Sequence, residues 1–166
     1  MTEAEMRLHR CCFAGHRPEK LTESEDEIRA WLTVQIESAI QEGYVTFITG
    51  MAMGVDIWAG QTVLEQKQFH PEVRLIAVTP YPAFCSKWKE DWKEAYDALW
   101  RQADHRVMIS KSFVPDAFER RNRFLVDHAS RLIAFYSGEE GGTHRMIEYA
   151  HASGLTCIVH TSVSKI

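Results

Sequence analysis

Residues 44–56 read YVTFITGMAMGVD, and this stretch decides the fold class. Its first six residues are aliphatic, aromatic or β-branched, which favours a buried strand. Gly50 and Gly54 follow, and glycine is the residue type best suited to a tight turn. Asp56 then suits the first turn of a helix, where the helix dipole favours a carboxylate. A strand, a glycine turn and a helix in direct succession form half of a βαβ unit, so this stretch predicts a parallel sheet.

The same alternation of short apolar runs and longer amphipathic segments continues in both directions. We predict six strands, over residues 7–14, 44–49, 74–79, 105–109, 131–136 and 155–160. We predict helices over residues 22–42, from the Gly54 turn to about residue 69, over 84–102 and 115–128, and between Gly141 and Gly154. Thr22 and Glu25 form a predicted capping box for the first helix, which Gly43 ends. Because parallel crossovers are right-handed, the prediction is a Rossmann-like, doubly wound, mainly parallel α/β sheet with helices on both faces.

The composition is that of an ordinary globular protein. Of 166 residues, 45% are hydrophobic and 25% are charged, and the length predicts one domain over residues 1–166. The formal net charge of −4 disfavours nucleic acid as a partner. The N-terminal residues lack the apolar core of a signal peptide, and no apolar run approaches the roughly 20 residues that span a bilayer. We therefore expect a cytoplasmic protein with no membrane partner.

The four cysteines, at positions 11, 12, 85 and 157, form none of the CxxC pairs that zinc and redox sites use. Reduced, buried thiols are therefore expected, and no metal site is predicted.

Two glycine loops are predicted to bind phosphate. In a doubly wound sheet, ligands lie beyond the carboxyl ends of the strands. Glycines at a strand-to-helix junction let backbone N–H groups approach an anion at the positive end of the helix. The residues assigned to these loops are Gly50, Met51, Gly54, Gly141, Gly142 and Thr143, with Asp56 as a candidate for holding ribose hydroxyls. The alternative is that the glycines only make tight turns. Neither loop matches the Walker GxxxxGK(S/T) pattern, so ATP hydrolysis by that machinery is not expected.

Polar residues near other strands complete the predicted site. Gly15, His16 and Arg17 follow the first strand. Arg17 suits a phosphate held through two hydrogen bonds, and His16 is either a proton shuttle or a loop residue. Arg121 and Asn122 lie on the helix before the fifth strand, where they either meet the ligand or belong to a solvated basic face.

The aromatic residues near the third strand divide into two groups. Trp88, Trp92, Tyr96 and Trp100 stand four residues apart and form a stripe along one side of a helix, which predicts core or a homodimer interface. Tyr81 lies in the loop just before that helix and is the better candidate for stacking on a base.

Four segments of the chain occur in an order typical of one known family. They are CCFAGHRPEKL from residue 11, FITGMAMGVDIWAG from residue 47, the pattern W-x-x-x-W-x-x-x-Y from residue 88, and RRNRFLVDHASRLIAFYSGEEGGT from residue 120. Together they resemble the YpsA-like (YoqJ-like) family of the SLOG superfamily over nearly the whole chain. That superfamily is Rossmann-like and includes the DNA-uptake protein DprA, the LOG phosphoribohydrolases that activate cytokinins, and proposed sensors of nucleotide-derived signals such as NAD or ADP-ribose. The resemblance implies phosphate-site roles for Gly50, Gly54 and Asp56.

The chain also departs from the LOG pattern. The Arg121–Asn122 pair resembles the Arg-Lys step of LOG enzymes with asparagine in place of lysine, and residues 141–143 resemble the end of their PGGxGTxxE loop. LOG enzymes carry acidic residues two and three places after the threonine, where this chain has Arg145 and Met146. The difference disfavours phosphoribohydrolase activity, because no carboxylate lies in register to assist glycosidic cleavage.

The sequence favours a ligand-binding or sensing protein over a catalyst. The expected partner is a small, phosphate-bearing, nucleotide-like molecule such as NAD or ADP-ribose, and no other cofactor is predicted. A nucleotide or ADP-ribose hydrolase is the first alternative, with Glu148, Asp56 and Asp127 as candidate acid or base residues. Single-stranded DNA binding is the second alternative, carried by the basic cluster at residues 120–123.

Overall fold

The computed structural model of the chain describes residues 1–162. The strands are β1 (Arg10–Gly15), β2 (Thr46–Thr49), β3 (Arg74–Thr79), β4 (His105–Met108), β5 (Arg131–Tyr136) and β6 (Thr156–Thr161). The helices are α1 (Glu3–Arg7), α2 (Glu25–Gln41), α3 (Val55–Lys67), α4 (Glu90–Gln102), α5 (Ala117–Asp127) and α6 (Gly142–Ala152), with a short 3-10 helix at Pro18–Lys20.

The strands form one six-stranded sheet in the order β4-β3-β2-β1-β5-β6, and every neighbouring pair is parallel. The predicted Rossmann-like α/β class is confirmed. The chain first builds outward from β1 to β4 and then returns to place β5 on the other side of β1. The strand order therefore reverses between β1 and β5, and this reversal is the place where doubly wound sheets hold their ligands.

Helices cover both faces of the sheet. On one face, α2, α3 and α4 bury Leu32, Val63 and Leu99 in a core that includes Phe13 and Phe47 of the sheet. On the other face, α5 and α6 pack against a second core, which includes Cys12, Ile48, Leu125, Ile147 and Ala150. Successive strand residues point to opposite faces, so the central strands β1, β2, β3 and β5 each contribute to both cores.

The N-terminal part of the first predicted strand is wrong. Residues 3–7 form α1, where the Thr2 side chain accepts from the Glu5 backbone and the Glu5 carboxylate accepts from the Thr2 backbone. This reciprocal cap satisfies two helical amides locally, so the strand begins only at Arg10.

Two predicted helix starts are also wrong. Helix α2 begins at Glu25, and its N-cap is Ser24, whose hydroxyl accepts from the backbone of Glu27 at 3.2 Å, so the Thr22–Glu25 capping box does not form. Helix α4 begins at Glu90, six residues later than predicted, because the intervening residues form successive turns. The other predicted boundaries lie within two residues of those observed.

Within residues 1–162, no helix is both long enough and apolar enough to cross a membrane.

The core packing on α2 gives a stability prediction. Leu32 is fully buried, whereas Val34 on the same helix is 60% exposed. We expect Leu32→Ala to lower the free energy of unfolding by about 2–5 kcal/mol, because it removes a buried side chain and leaves a cavity. Val34→Ala is the matched control and should change it by less than about 0.5 kcal/mol. Urea denaturation measures both values, and equal values for the two variants would contradict the assigned burial of this helix.

Candidate functional site

A cavity of about 280 Å³ lies at the carboxyl edge of the sheet, beside the strand-order reversal. It is bounded by the loop after β1, the first turn of α3, the middle of α5 and the first turn of α6. The predicted site residues that line this central cavity are Gly15, His16, Arg17, Asp56, Arg121, Asn122, Gly141, Gly142 and Thr143. The structure thus brings together residues from four separate loops and helices.

Two glycines allow the loop after β1 to pack tightly against the start of α3. A side chain at Gly15 would overlap that of Val55, the first residue of α3. Gly54 has a φ of +95°, and a Cβ there would lie 2.5 Å from the carbonyl oxygen of His16. These glycines serve close backbone approach, which a larger residue would prevent.

Gly50, Met51 and Gly54 lie behind the cavity and do not line it. The Gly50 carbonyl accepts a 2.8 Å hydrogen bond from Arg121, and Met51 is fully buried. The Met51 amide lies 3.4 Å from the Thr49 hydroxyl, to which it donates. This loop therefore holds other side chains in place, and its Met51 amide is already used in a hydrogen bond.

Asp56 and Arg121 are the charged groups that this loop positions. Both are more than nine-tenths buried, and both line the cavity. One Asp56 carboxylate oxygen accepts from the Ala52 amide at 3.3 Å, while the other, Oδ1, is buried without a hydrogen-bond partner among residues 1–162. Burial raises the pKa of Asp56 to about 6, although the Arg121 charge and the Ala52 amide act in the opposite direction.

The Arg121 side chain is held from several directions. Its Nε donates to the Asn122 amide oxygen at 3.1 Å, and its guanidinium carbon lies 5.6 Å from the ring centre of Phe84 and 5.9 Å from that of Phe118. Burial lowers the pKa of Arg121, and Asp56 partly counters that shift. The sequence left open whether Arg121 or a neighbour points inward, and the structure places Arg121 inward.

His16, in the loop after β1, contacts the loop between β5 and α6 and the first turn of α6. Its Nε2 lies 3.0 Å from the Ser137 hydroxyl and its Nδ1 lies 3.4 Å from the Thr143 hydroxyl, which itself donates to the Gly15 carbonyl. A neutral ring protonated on Nδ1 satisfies both contacts. Burial is the largest cause that lowers the pKa of His16, and nearby Lys20 lowers it further, so the neutral form is favoured.

The first turn of α6 presents free amides to the cavity. Gly141 provides no side-chain cap, and the first turn contains no acidic residue. Among residues 1–162, no acceptor contacts the amides of Gly142, Thr143 or His144. Arg17 and Lys20 also line the cavity, so positive charge accompanies the positive end of the helix dipole. Glu140 is also part of the lining.

Three further predicted residues lie outside the central cavity. Tyr81 lines an adjoining cavity. Glu148 lies in a groove between α5 and α6, with its carboxylate 3.0 Å from His144, and Asp127 accepts a 2.6 Å hydrogen bond from Tyr149. Of the three carboxylates proposed as acid or base, only Asp56 lines the central cavity.

Sequence reasoning missed Lys20 and Phe118, which also line the cavity. Lys20 ends the 3-10 helix that Pro18 begins, and a proline directly after Arg17 was a signal that the chain turns there. Phe118 precedes Arg121 by three positions on α5, so helical spacing places the two on one face.

The sheet order and the cavity at its reversal define a Rossmann-like protein of the doubly wound class. The sequence pattern of the family YpsA, described as the YspA SLOG family, matches residues 11–155. The chain therefore belongs to this SLOG family.

Curated relatives agree with this assignment. A UPF0398 protein of Bacillus cereus strain B4264 is 31% identical over 110 residues, which cover 65% of this chain and 60% of that protein. A UPF0398 protein of Bacillus thuringiensis strain Al Hakam is 30% identical over 122 residues, which cover 72% of this chain and 66% of that protein. The matched part thus spans less than two thirds of the length of these relatives.

Solved structures of DNA processing protein A share the fold. The Helicobacter pylori protein, described with a single-stranded DNA binding mode, matches with a TM-score of 0.66 at 16% identity, covering 95% of this chain and 66% of its own. The Streptococcus pneumoniae protein (DprA) also matches with a TM-score of 0.66, at 17% identity, covering 93% of this chain and 50% of its own. At these identities the likeness concerns the fold alone.

The buried carboxylate predicts an unusual pH dependence. Because the pKa of Asp56 is about 6 when folded and about 4 when unfolded, the folded chain binds the proton more tightly. The stability that this preference contributes is present below about pH 4 and is lost as the pH rises through about 6. We expect the free energy of unfolding of Asp56→Asn to rise relative to that of the wild type as the pH increases over that interval, by up to roughly 3 kcal/mol. Urea denaturation across the interval measures the difference.

Asp97→Asn is the matched control, because Asp97 is an exposed carboxylate on α4. Its difference from the wild type should stay nearly constant over the same interval. A constant difference for Asp56→Asn as well would contradict the raised pKa.

Proposed function

We propose that this chain is a cytosolic binding or sensing protein for a small, phosphate-bearing, nucleotide-derived molecule. The observation that carries the proposal is the composition of the central cavity. Arg17, Lys20 and the first turn of α6 with its free amides line it together with the buried carboxylate of Asp56. Cations together with helix-terminal amides form the usual protein site for phosphate.

In this proposal the phosphate binds at the first turn of α6. The Gly142 and Thr143 amides donate to its oxygens, and Arg17 and Lys20 balance its charge. Asp56 accepts from the sugar hydroxyls through Oδ1, the oxygen without a hydrogen-bond partner in the described chain. The cavity volume of about 280 Å³ suits a sugar phosphate and lies at the lower end for small-molecule sites.

A hydrolase acting on the same ligand is the alternative. Asp56, with a pKa raised to about 6 by burial, exists in both protonation states near neutral pH and lines the cavity. Release of free base from nucleotides or ADP-ribose, lost in Asp56→Asn but retained in Glu148→Gln, would support it. Binding of the same molecules without turnover supports the binding protein.

Single-stranded DNA is the second alternative, motivated by the fold shared with the Helicobacter pylori protein. Such binding should weaken steeply with salt, because counterions are released from the phosphates. An oligonucleotide that binds more tightly than any mononucleotide, with a steep salt dependence, would favour it over the proposal.

Thermal melting tests the proposal directly. A panel of AMP, ADP-ribose, NAD and ribose 5-phosphate should contain at least one molecule that raises Tm by roughly 5–10 °C at a hundredfold excess over its Kd. Arg17→Ala should raise the Kd for that molecule by about tenfold to hundredfold, because a charge-assisted hydrogen bond to phosphate is lost.

Arg101→Ala is the control, since Arg101 is exposed on α4 and does not line the cavity. It should leave the Kd unchanged. The proposal fails when no member of the panel shifts Tm, or when the two arginine variants weaken binding equally.

A further inference from the structure

A second cavity of about 500 Å³ adjoins the central one. We call it the aromatic pocket. It is lined by Arg17, Tyr81, Phe84, Lys87, Trp88 and Phe113, among others. Four of these six side chains are aromatic and the other two are cations. This combination suits a planar ring attached to an anionic group.

The rings of the aromatic pocket contact one another edge to face. The Tyr81 ring centre lies 5.9 Å from that of Phe84 and 5.5 Å from that of Phe113, in both cases with nearly perpendicular planes. Phe113 nevertheless remains 60% exposed. An exposed aromatic ring beside a cavity offers a free π-face to a ligand.

The pocket is built on a braced loop. The Phe84 amide donates to the Tyr81 carbonyl at 3.2 Å, and the Trp88 amide donates to the Cys85 carbonyl at 3.0 Å. The Thr79 hydroxyl, at the end of β3, donates to the same Tyr81 carbonyl at 3.2 Å. These turns replace the expected helical residues before α4, and they fix the backbone that carries Tyr81, Phe84 and Trp88 before any ligand arrives, whereas Phe113 lies in the loop between β4 and α5.

The aromatic pocket and the central cavity share two lining residues. Arg17 and Phe84 belong to both. A ligand whose phosphate lies near Arg17 in the central cavity can therefore extend an attached ring into the aromatic pocket without leaving the protein surface.

The groove between α5 and α6 is a weaker candidate for the ring. It also adjoins the central cavity and has a volume of about 410 Å³, but Glu119 and Glu148 line it. Of its two arginines, Arg123 lies 3.6 Å from Glu119 and 5.1 Å from the ring centre of Tyr149, so this arginine and one face of Tyr149 already have partners.

We propose that the aromatic pocket is the nucleobase subsite of the central cavity, so that this site takes nucleoside phosphates in preference to bare sugar phosphates. The inference rests on the proposed function, because it requires phosphate in the central cavity. Stacking accepts any base, since every base has a π-face, so the subsite supplies affinity for the ring and little discrimination among bases.

Isothermal titration calorimetry with AMP, GMP, CMP, UMP and ribose 5-phosphate tests the subsite. The wild type should bind at least one nucleotide about tenfold to hundredfold more tightly than ribose 5-phosphate. Phe113→Ala should remove most of that preference and leave the Kd for ribose 5-phosphate unchanged. Phe113→Leu, which keeps an apolar side chain but no ring, should behave like Phe113→Ala and guards against a folding artefact.

Phe69→Ala is the matched control. Phe69 is 75% exposed and lies between α3 and β3, at the opposite edge of the sheet. It should change neither Kd. Equal binding of ribose 5-phosphate and all four nucleotides by the wild type, or equal losses for both ligand types in Phe113→Ala, would overturn the subsite and leave the proposed function standing. Absence of binding by all five probes would overturn the subsite, and ADP-ribose and NAD in the melting panel would then decide the proposed function.

Discussion

The loop after β1 lies directly against the first residues of α3, and the site is arranged around this contact. Gly15 leaves room for the Val55 side chain, and Gly54 leaves room for the His16 carbonyl. The Val55 amide also approaches that carbonyl, at 3.4 Å. With α3 held there, Asp56 in its first turn is buried at the cavity wall. A longer side chain at either glycine would push the helix away from the strand and open the cavity from behind.

Most of the fold follows from periodicity that the sequence displays. The βα alternation, the parallel sheet and several strand boundaries depend on apolar runs and glycine turns, which are local signals. The errors arose where a different local interaction decided the outcome. Thr2 and Glu5 cap a helix that overlaps the start of the strand predicted over residues 7–14. The residues just before Glu90 form turns, although Trp88 continues the four-residue spacing of the aromatic side chains in α4. Spacing of four residues is compatible with a helix but does not require one.

The site was less predictable, because its chemistry depends on which atoms face one another. The glycine loops and Arg17 could be located, since they must follow strands at one edge of the sheet. Which loop offers a carbonyl and which offers free amides could not be predicted. The Gly50 loop directs a carbonyl at Arg121, whereas the α6 loop directs its amides at open space. The two loops have similar glycine-rich sequences, and only the packing of α5 against the Gly50 loop distinguishes them. The inward direction of Arg121 depends on the same packing.

Asp56 is where stability and the proposed function oppose each other. A carboxylate with one oxygen buried and unpaired is costly, and Arg121 offsets that cost only in part, since burial still dominates the pKa. A hydroxyl donor from a bound sugar would satisfy Oδ1 and would favour the ionised carboxylate. Binding would then be strengthened by a hydrogen bond that Oδ1 lacks in the free protein. This gain in binding free energy would be largest above the folded pKa, where Asp56 is charged. An amide side chain at this position would reduce the cost in the free protein and, by the same reasoning, would forgo that gain.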